Sequence, residues 1–151
     1  ITQLKVAIKL AFEHDNHIMF EEFIDGTEVS CGVYYNNAVT SLPITEIVTD
    51  NEFFDYEAKY EGKSNEITPA RIDKKIYSKI KNLTEKIYSE LNLKGICRVD
   101  YIIKNNLPYV IEINTVPGLS KESIIPKQLK CMNISLSEIF KISIENATFN
   151  E

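Results

Sequence analysis

The chain has 151 residues, 44% of them hydrophobic and 26% charged. That is a globular composition, long enough for one domain with a real core and not that of a disordered segment. Its 17 Lys and Arg against 22 Asp and Glu leave a net charge of -5, which repels phosphate backbones and argues against nucleic acid as a partner. No apolar run reaches the roughly 18 residues that a membrane helix needs. Cys31, Cys97 and Cys131 are odd in number and far apart. They form neither a disulfide framework nor a zinc pattern, and a reducing cytosol is their simplest home. The opening Ile1-Thr2-Gln3-Leu4 has no Met and no signal peptide, the start expected of a piece of something longer.

Taken in chain order, residues 3–15 read as a helix, with Leu4, Ala7, Ile8, Ala11 and Phe12 at helical spacing. His17–Ile24 is a short apolar run suited to a strand, and Asp25-Gly26 is a turn signal. Thr27–Tyr35 alternates, with Val29, Cys31 and Val33 on one face. Asn36-Asn37 turns the chain, Ala38–Leu42 returns it as a hairpin, and Ile44–Val48 follows Pro43 as another strand. Residues 50–71 are rich in charge and aromatics without a clean period. Such a stretch inside a compact domain is expected to be a lid or binding loop. From Asp73, a plausible N-cap, the helical period returns with Ile76, Ile80, Leu83, Ile87 and Leu91. Ile96–Ile103 and Pro108–Ile113 read as two strands joined at Asn105-Asn106. Two helices close the chain, 123–131 and 136–147, with Ser135 or Ser137 to cap the second. The mixed order predicts an α+β fold, helices against a largely antiparallel sheet.

Chemistry concentrates in the last two strands. Side chains alternate along a strand, so Arg98, Asp100 and Ile102 share a face, and Val110, Glu112 and Asn114 share another. Turn parity decides whether the two sets meet. A two-residue turn opposes Asp100 to Ile111 and separates the carboxylates. An odd turn, such as Asn105-Asn106-Leu107, opposes Asp100 to Glu112 and Arg98 to Asn114, with Cβ atoms about 4.5–5.5 Å apart. Two carboxylates that close, joined by an amide oxygen, make a hard-oxygen set suited to Mg²⁺. Arg98 beside them suits a forked pair with a carboxylate or phosphate. The loop Asn114-Thr115-Val116-Pro117-Gly118-Leu119-Ser120 aims backbone N–H groups toward the same strand ends, the material of an oxyanion site. A plain surface hairpin with scattered polar residues is the alternative.

Gly95-Ile96-Cys97-Arg98-Val99-Asp100-Tyr101, followed by Val110-Ile111-Glu112-Ile113-Asn114-Thr115-Val116-Pro117-Gly118-Leu119-Ser120, resembles the ATP-grasp fold of the D-alanine-D-alanine ligase family. So does Phe53-Phe54-Asp55-Tyr56-Glu57-Ala58-Lys59-Tyr60, the more particular motif. With Glu21-Glu22-Phe23-Ile24-Asp25-Gly26-Thr27-Glu28, the motifs occur in family order and correspond to roughly the C-terminal half of such an enzyme, across 1–151.

The resemblance implies a set of roles. Asp100, Glu112 and Asn114 would hold two Mg²⁺ ions, with Mn²⁺ as a possible substitute, that bridge the phosphates of ATP. Arg98 would stabilise the tetrahedral intermediate and the transferred phosphate, and the Gly118 amide would serve the oxyanion site. Ser123 and Ile124 would hold the carboxylate of the second D-alanine. Lys59 would approach the γ-phosphate, and Tyr60 would close over the substrates from the mobile 50–71 loop. Glu21, Phe23 and Ile24 would border adenine on a strand, and Glu28 would bind the ribose hydroxyls. Residue by residue, plainer uses compete: an exposed strand carboxylate for Glu28, a core ring for Phe23, a helix cap for Ser123, a packed thiol for Cys97.

The expected activity is ATP-dependent ligation of two D-alanines through an acyl phosphate, for peptidoglycan precursors, in the bacterial cytoplasm. The partners implied are ATP and D-alanine, with a homodimer expected of the full-length protein. The family's glycine-rich phosphate loop is absent among the five glycines here, so these 151 residues alone are expected to be inactive. A D-Ala-D-Ser or D-Ala-D-lactate type ligase, another ATP-grasp carboxylate-amine ligase, or a non-catalytic nucleotide-binding module are the rival readings.

Overall fold

The computed structural model describes residues 2–49 and 64–148. In chain order these form α1 (Thr2–Phe12), β1 (Thr27–Asn36), β2 (Ala38–Ser41), β3 (Thr45–Thr49), β4 (Ser64–Ile67), α2 (Lys74–Glu90), β5 (Cys97–Lys104), β6 (Leu107–Asn114), α3 (Ile124–Cys131) and α4 (Leu136–Thr148). Five strands run in the order β4-β3-β1-β5-β6, and β2 pairs with the far end of β1. Every pairing among the described residues is antiparallel, which is the α+β architecture expected.

Local chemistry explains the joints. Asn105 and Asn106 adopt φ of 53° and 62°, the paired left-handed conformation of a two-residue hairpin turn that asparagine tolerates. Asn37 does the same at φ 59° between β1 and β2. Asp73 caps α2, its carboxylate accepting from the Lys75 N–H at 2.7 Å. Ser135 caps α4 through the Glu138 N–H at 3.1 Å.

The sheet has two working faces. On one, Val29, Cys31, Val99 and Tyr101 pack with Ile44 against Ile76 and Ile80 of α2. The Tyr101 hydroxyl lies 2.7 Å from Thr84 Oγ1. Since Thr84 gives its own proton to the Ile80 carbonyl, Tyr101 is the donor. A second cluster, Tyr34, Leu42, Ile96, Ile125, Leu129 and Ile139, seats α3 and α4. Cys97 is fully buried with Val33 and Tyr88, the packed thiol expected; burial pushes it up in pKa and pushes Cys31 to about 12.

Three expectations need correction. No strand forms over His17–Ile24; the segment is irregular and Met19, Phe20 and Phe23 are exposed. An apolar run signals burial of some kind, but a strand also needs a neighbour to take its backbone bonds. The buried stripe of α2 is Ile76, Ile80, Thr84 and Tyr88, while Leu91 is 57% exposed. The polar pair was invisible to a count of apolar letters, because Thr84 and Tyr88 bury by satisfying their hydroxyls internally. Finally, the end of the expected 50–71 loop is sheet: β4 pairs with β3 from Thr49↔Ser64 to Glu46↔Ile67. The rest of that loop, with Lys59 and Tyr60, lies outside the described residues.

Candidate active site

The sheet face opposite α2 carries the polar constellation. Glu28 and Ser30 come from β1, Arg98 and Asp100 from β5, Glu112 and Asn114 from β6. Their register is direct: Ser30 opposes Asp100, Asp100 opposes Glu112, and Arg98 opposes Asn114.

This pairing arises by a route that parity arguments miss. The turn does have two residues, since Lys104 pairs with Leu107. A regular ladder would then oppose Asp100 to Ile111. Instead the register shifts between Asp100 and Tyr101: Tyr101 faces Val110 and Asp100 faces Glu112. Ile111 is the extra residue of a β-bulge. The turn would separate the carboxylates, and the bulge brings them back together.

Asp100 is 6% exposed and saturated with donors. Its Oδ1 accepts from Ser30 Oγ at 2.5 Å and from Arg98 Nε at 2.9 Å. Its Oδ2 accepts from Arg98 Nη2 at 2.8 Å and from Asn114 Nδ2 at 3.0 Å. Four donors meet the roughly four lone-pair sites of a carboxylate. Asn114 Nδ2 also donates to Glu112 Oε1 at 3.1 Å, so oxygens from two strands converge on one nitrogen. Burial works against the Arg98 charge, but the forked bonds and charge of Asp100 outweigh it, with Glu112 and Glu66 adding, and hold the guanidinium protonated more firmly than usual. Arg98 Nη2 lies 4.0 Å from Glu112 Oε1.

The donor set fits a hard divalent cation. A partly positive amide NH₂ bridges Asp100 Oδ2 and Glu112 Oε1, and a half-turn of that amide exchanges its nitrogen for an oxygen. Two carboxylates of opposite exposure plus one amide oxygen are a sparse set, of the kind Mg²⁺ takes when phosphates complete its shell. Among the described residues no three His, Cys, Asp or Glu side chains gather into a metal-holding group; this position offers two carboxylates and an amide.

The loop after β6 closes on the start of α3. A Cβ on Gly118 would stand 2.8 Å from Ser123 Oγ, so the glycine backbone lies directly on that hydroxyl. Ser123 occupies the N-cap position of α3 but makes no side-chain cap bond; its hydroxyl pairs with Ser120 Oγ at 2.8 Å instead. The capping use expected as an alternative is therefore not the one it makes. Ile124 is buried at 5% exposure. Glu28 sits half-buried on β1, and Glu21 and Phe23 are exposed with Ile24 half-buried on the irregular segment before it.

Four residues of this face escaped the sequence reading: Ser30, Glu66, Lys127 and Gln128. Lys127 Nζ pairs with Glu66 Oε2 at 2.9 Å. Alternation could have flagged Ser30, two residues from Glu28 on the same face. Gln128 is fully buried and bonds Ser30 O, Gly32 N and Thr45 Oγ1. Its spacing could have flagged it, since it lies four residues after Ile124 and beside Leu129 on the buried stripe of α3.

Solved structures share this arrangement of elements. The VanG D-Ala:D-Ser ligase from Enterococcus faecalis superposes with a TM-score of 0.79 at 33% identity, over 96% of this chain and 43% of that one. The D-alanine--D-alanine ligase from Bacillus anthracis complexed with ATP does so with a TM-score of 0.78 at 26% identity, over 95% and 45%. The fold is thus that of an ATP-grasp C-terminal domain. A family model for the "D-ala D-ala ligase C-terminus" matches residues 1–145, and the chain belongs to that family. It is 52% identical over 144 residues to the D-alanine--D-alanine ligase of Flavobacterium johnsoniae, covering 95% of this chain and 45% of that protein. Against the D-alanine--D-alanine ligase of Porphyromonas gingivalis it is 45% identical over 139 residues, covering 91% and 42%. The chain spans less than half the length of these relatives. No helix among the described residues is long and apolar enough to cross a membrane.

Proposed function

We propose that this chain supplies the metal-, phosphate- and second-substrate-binding part of an ATP-dependent ligase that joins two D-alanines for peptidoglycan precursors. The carboxylate of the first D-alanine attacks the γ-phosphorus of ATP, giving an acyl phosphate and ADP. The amine of the second attacks the acyl carbon, loses a proton and expels phosphate. Both steps build negative charge on oxygen, so positioning and electrostatics do most of the work. Asp100, Glu112 and Asn114 hold Mg²⁺, two ions with Mn²⁺ as a substitute, which neutralises phosphate charge when bound. Arg98, kept protonated and braced by Asp100, presents its remaining N–H groups to the transferred phosphate. The Gly118 amide serves the developing oxyanion, and Ser123 and Ile124 receive the carboxylate of the second D-alanine. Glu28 takes the ribose hydroxyls; Glu21, Phe23 and Ile24 border adenine. Lys59 and Tyr60, outside the described residues, act from the segment after β3, which β4 anchors at its far end.

The observation that carries this reading is the convergence of Asp100 Oδ2 and Glu112 Oε1, from neighbouring strands, on a single amide nitrogen. The working enzyme is read as a homodimer of longer chains in the bacterial cytoplasm, and these 151 residues alone do not turn over. The test is a Mg²⁺-dependent ATP titration of the complete protein carrying Asp100→Asn or Glu112→Gln. Each change weakens Mg-nucleotide binding by tenfold or more and abolishes dipeptide formation. Asp100→Asn also takes the counter-charge from a half-buried Arg98, so thermal melts accompany the titration. Unchanged affinity in both variants sinks the reading and favours a non-catalytic module. The 33% likeness to a D-Ala:D-Ser ligase supports a second reading, in which D-serine is the second substrate. Competition between D-alanine, D-serine and D-lactate for the acyl phosphate decides between them.

A further inference from the structure

Asp100 is held from three sides, and only two are explained by the proposed chemistry. Arg98 faces phosphate, and Asn114 shares the cation position. The third donor, Ser30 Oγ, is fully buried and takes Asp100 Oδ1 at 2.5 Å from the neighbouring strand. We propose that Ser30 is a positioning residue for the divalent cation: it pins Oδ1, and so fixes the rotation of the carboxylate that turns Oδ2 toward Glu112 and Asn114.

Several observations support this. Ser30 opposes Asp100 in the β1–β5 register, so its hydroxyl reaches the carboxylate from a backbone fixed by the sheet. It fills a lone pair on Oδ1, the oxygen that Asn114 does not touch, and leaves the shared position on Oδ2 alone. Arg98 grips both oxygens, but a guanidinium that also serves a phosphate is a poor sole anchor, because its own position answers to the substrate.

Ser30 is itself clamped. Along that edge of β1, pairing with β3 ends at Ser30↔Thr45 and pairing with β2 begins at Val33↔Ser41. The Gln128 side chain fills the break as a peptide group would. Its Nε2 donates to the Ser30 carbonyl at 2.9 Å, and its Oε1 accepts from the Gly32 N–H at 3.0 Å. The same Nε2 donates to Thr45 Oγ1 at 3.1 Å. Gln128 belongs to α3, whose N-cap position is Ser123, so one buried amide ties the Gly118–Ser123 side of the site to the strand that orients Asp100.

The inference rests on Asp100 being a cation ligand, and the experiment separates the two claims. In the complete protein, Mn²⁺ affinity is measured by electron paramagnetic resonance in the presence of ATP, for wild type, Ser30→Ala, Ser30→Cys, Ser30→Thr and Asp100→Asn. Partners that orient a metal ligand are worth roughly 10- to 100-fold in metal affinity. Ser30→Ala and Ser30→Cys therefore weaken Mn²⁺ binding by about 10-fold or more, while Ser30→Thr, which keeps the hydroxyl, stays within about 3-fold. The cysteine variant keeps the volume with a weak donor, so it reads the hydrogen bond even where alanine disturbs folding. If Ser30→Ala and Ser30→Cys bind Mn²⁺ like wild type while Asp100→Asn does not, the inference is overturned and the site reading stands. If Asp100→Asn also binds normally, the site reading falls first.

Discussion

Gly32→Ala is the sharpest test of how tightly α3 is seated on the site strand. A Cβ at Gly32 would stand 2.6 Å from Gln128 Oε1, 2.6 Å from Ile125 Cδ1 and 2.7 Å from Leu42 Cδ1. All three distances are below what real Cβ contacts show, and Ile125, Leu42 and Gln128 are themselves fully buried, so none has solvent to swing into. Forcing a methyl into a filled core costs about 1–3 kcal/mol. Pushing Oε1 away strips a buried Gly32 N–H of its acceptor, which adds about 1–3 kcal/mol. A combined loss of about 4 kcal/mol lowers Tm by roughly 8–16 °C in a domain of this size. Gly95→Ala is the internal comparison. Nothing lies within 4 Å of its added Cβ, but φ is +63°, so only backbone conformation is charged, about 1–2 kcal/mol. Circular dichroism melts of the two variants, each checked by urea titration, measure the difference. A Gly32→Ala protein melting within 2–3 °C of wild type, or above Gly95→Ala, refutes the account of a rigid Gln128 clamp.

Two further outcomes follow from titrating groups. Hydrogen bonds from Arg71, through Nε and Nη2 at 2.9 Å each and its backbone N–H at 3.1 Å, hold the Glu46 carboxyl below the usual range. A depressed carboxylate contributes stability above its unfolded value of about 4.3, and that stability is lost as pH falls through the folded value. Glu46→Gln therefore melts below wild type at neutral pH, with the gap narrowing below about pH 4; parallel Tm–pH curves from pH 7 to 3 would contradict this. Of the three thiols, Cys131 is exposed while Cys31 and Cys97 are fully buried, and Cys31 is pushed to about 12 by its burial. An aromatic disulfide reagent labels Cys131 within minutes in the native protein and reaches the other two only on unfolding, as peptide mapping would read out.

Most of the architecture was legible because its signals are local. Alternation in Thr27–Tyr35, the asparagine turns and the Asp73 cap each report on a few neighbouring residues, and the structure follows them. Misreadings fell where a distant partner decides. His17–Ile24 has the letters of a strand, but no strand of the described residues pairs with it. Ser64–Ile67 has weak strand letters, yet the free edge of β3 takes it up. Gln128 lies on the buried stripe of α3, but the gap in the edge of β1 that gives its amide three partners is made by distant strands. Such positions answer to geometry that no window of sequence contains.

The carboxylate pair shows the same limit at the point that matters most for function. From letters alone, Asp100 and Glu112 meet only if their turn has odd length, as Asn105-Asn106-Leu107 would. The turn is even and the residues meet, because Ile111 drops out of register beside them. Bulges concentrate near active sites, where they re-aim a side chain, and this one has that effect. It reverses the face of Glu112 and Asn114 relative to Tyr109 and Val110, so the distal half of the hairpin keeps ordinary pairing while the proximal half presents both acids to Arg98. The bulge sits directly across from Asp100, the residue that Ser30 braces from the other side. One irregularity on β6 and one hydroxyl on β1 thus set the two coordinates of the site: which face the second acid occupies, and which way the first one is turned.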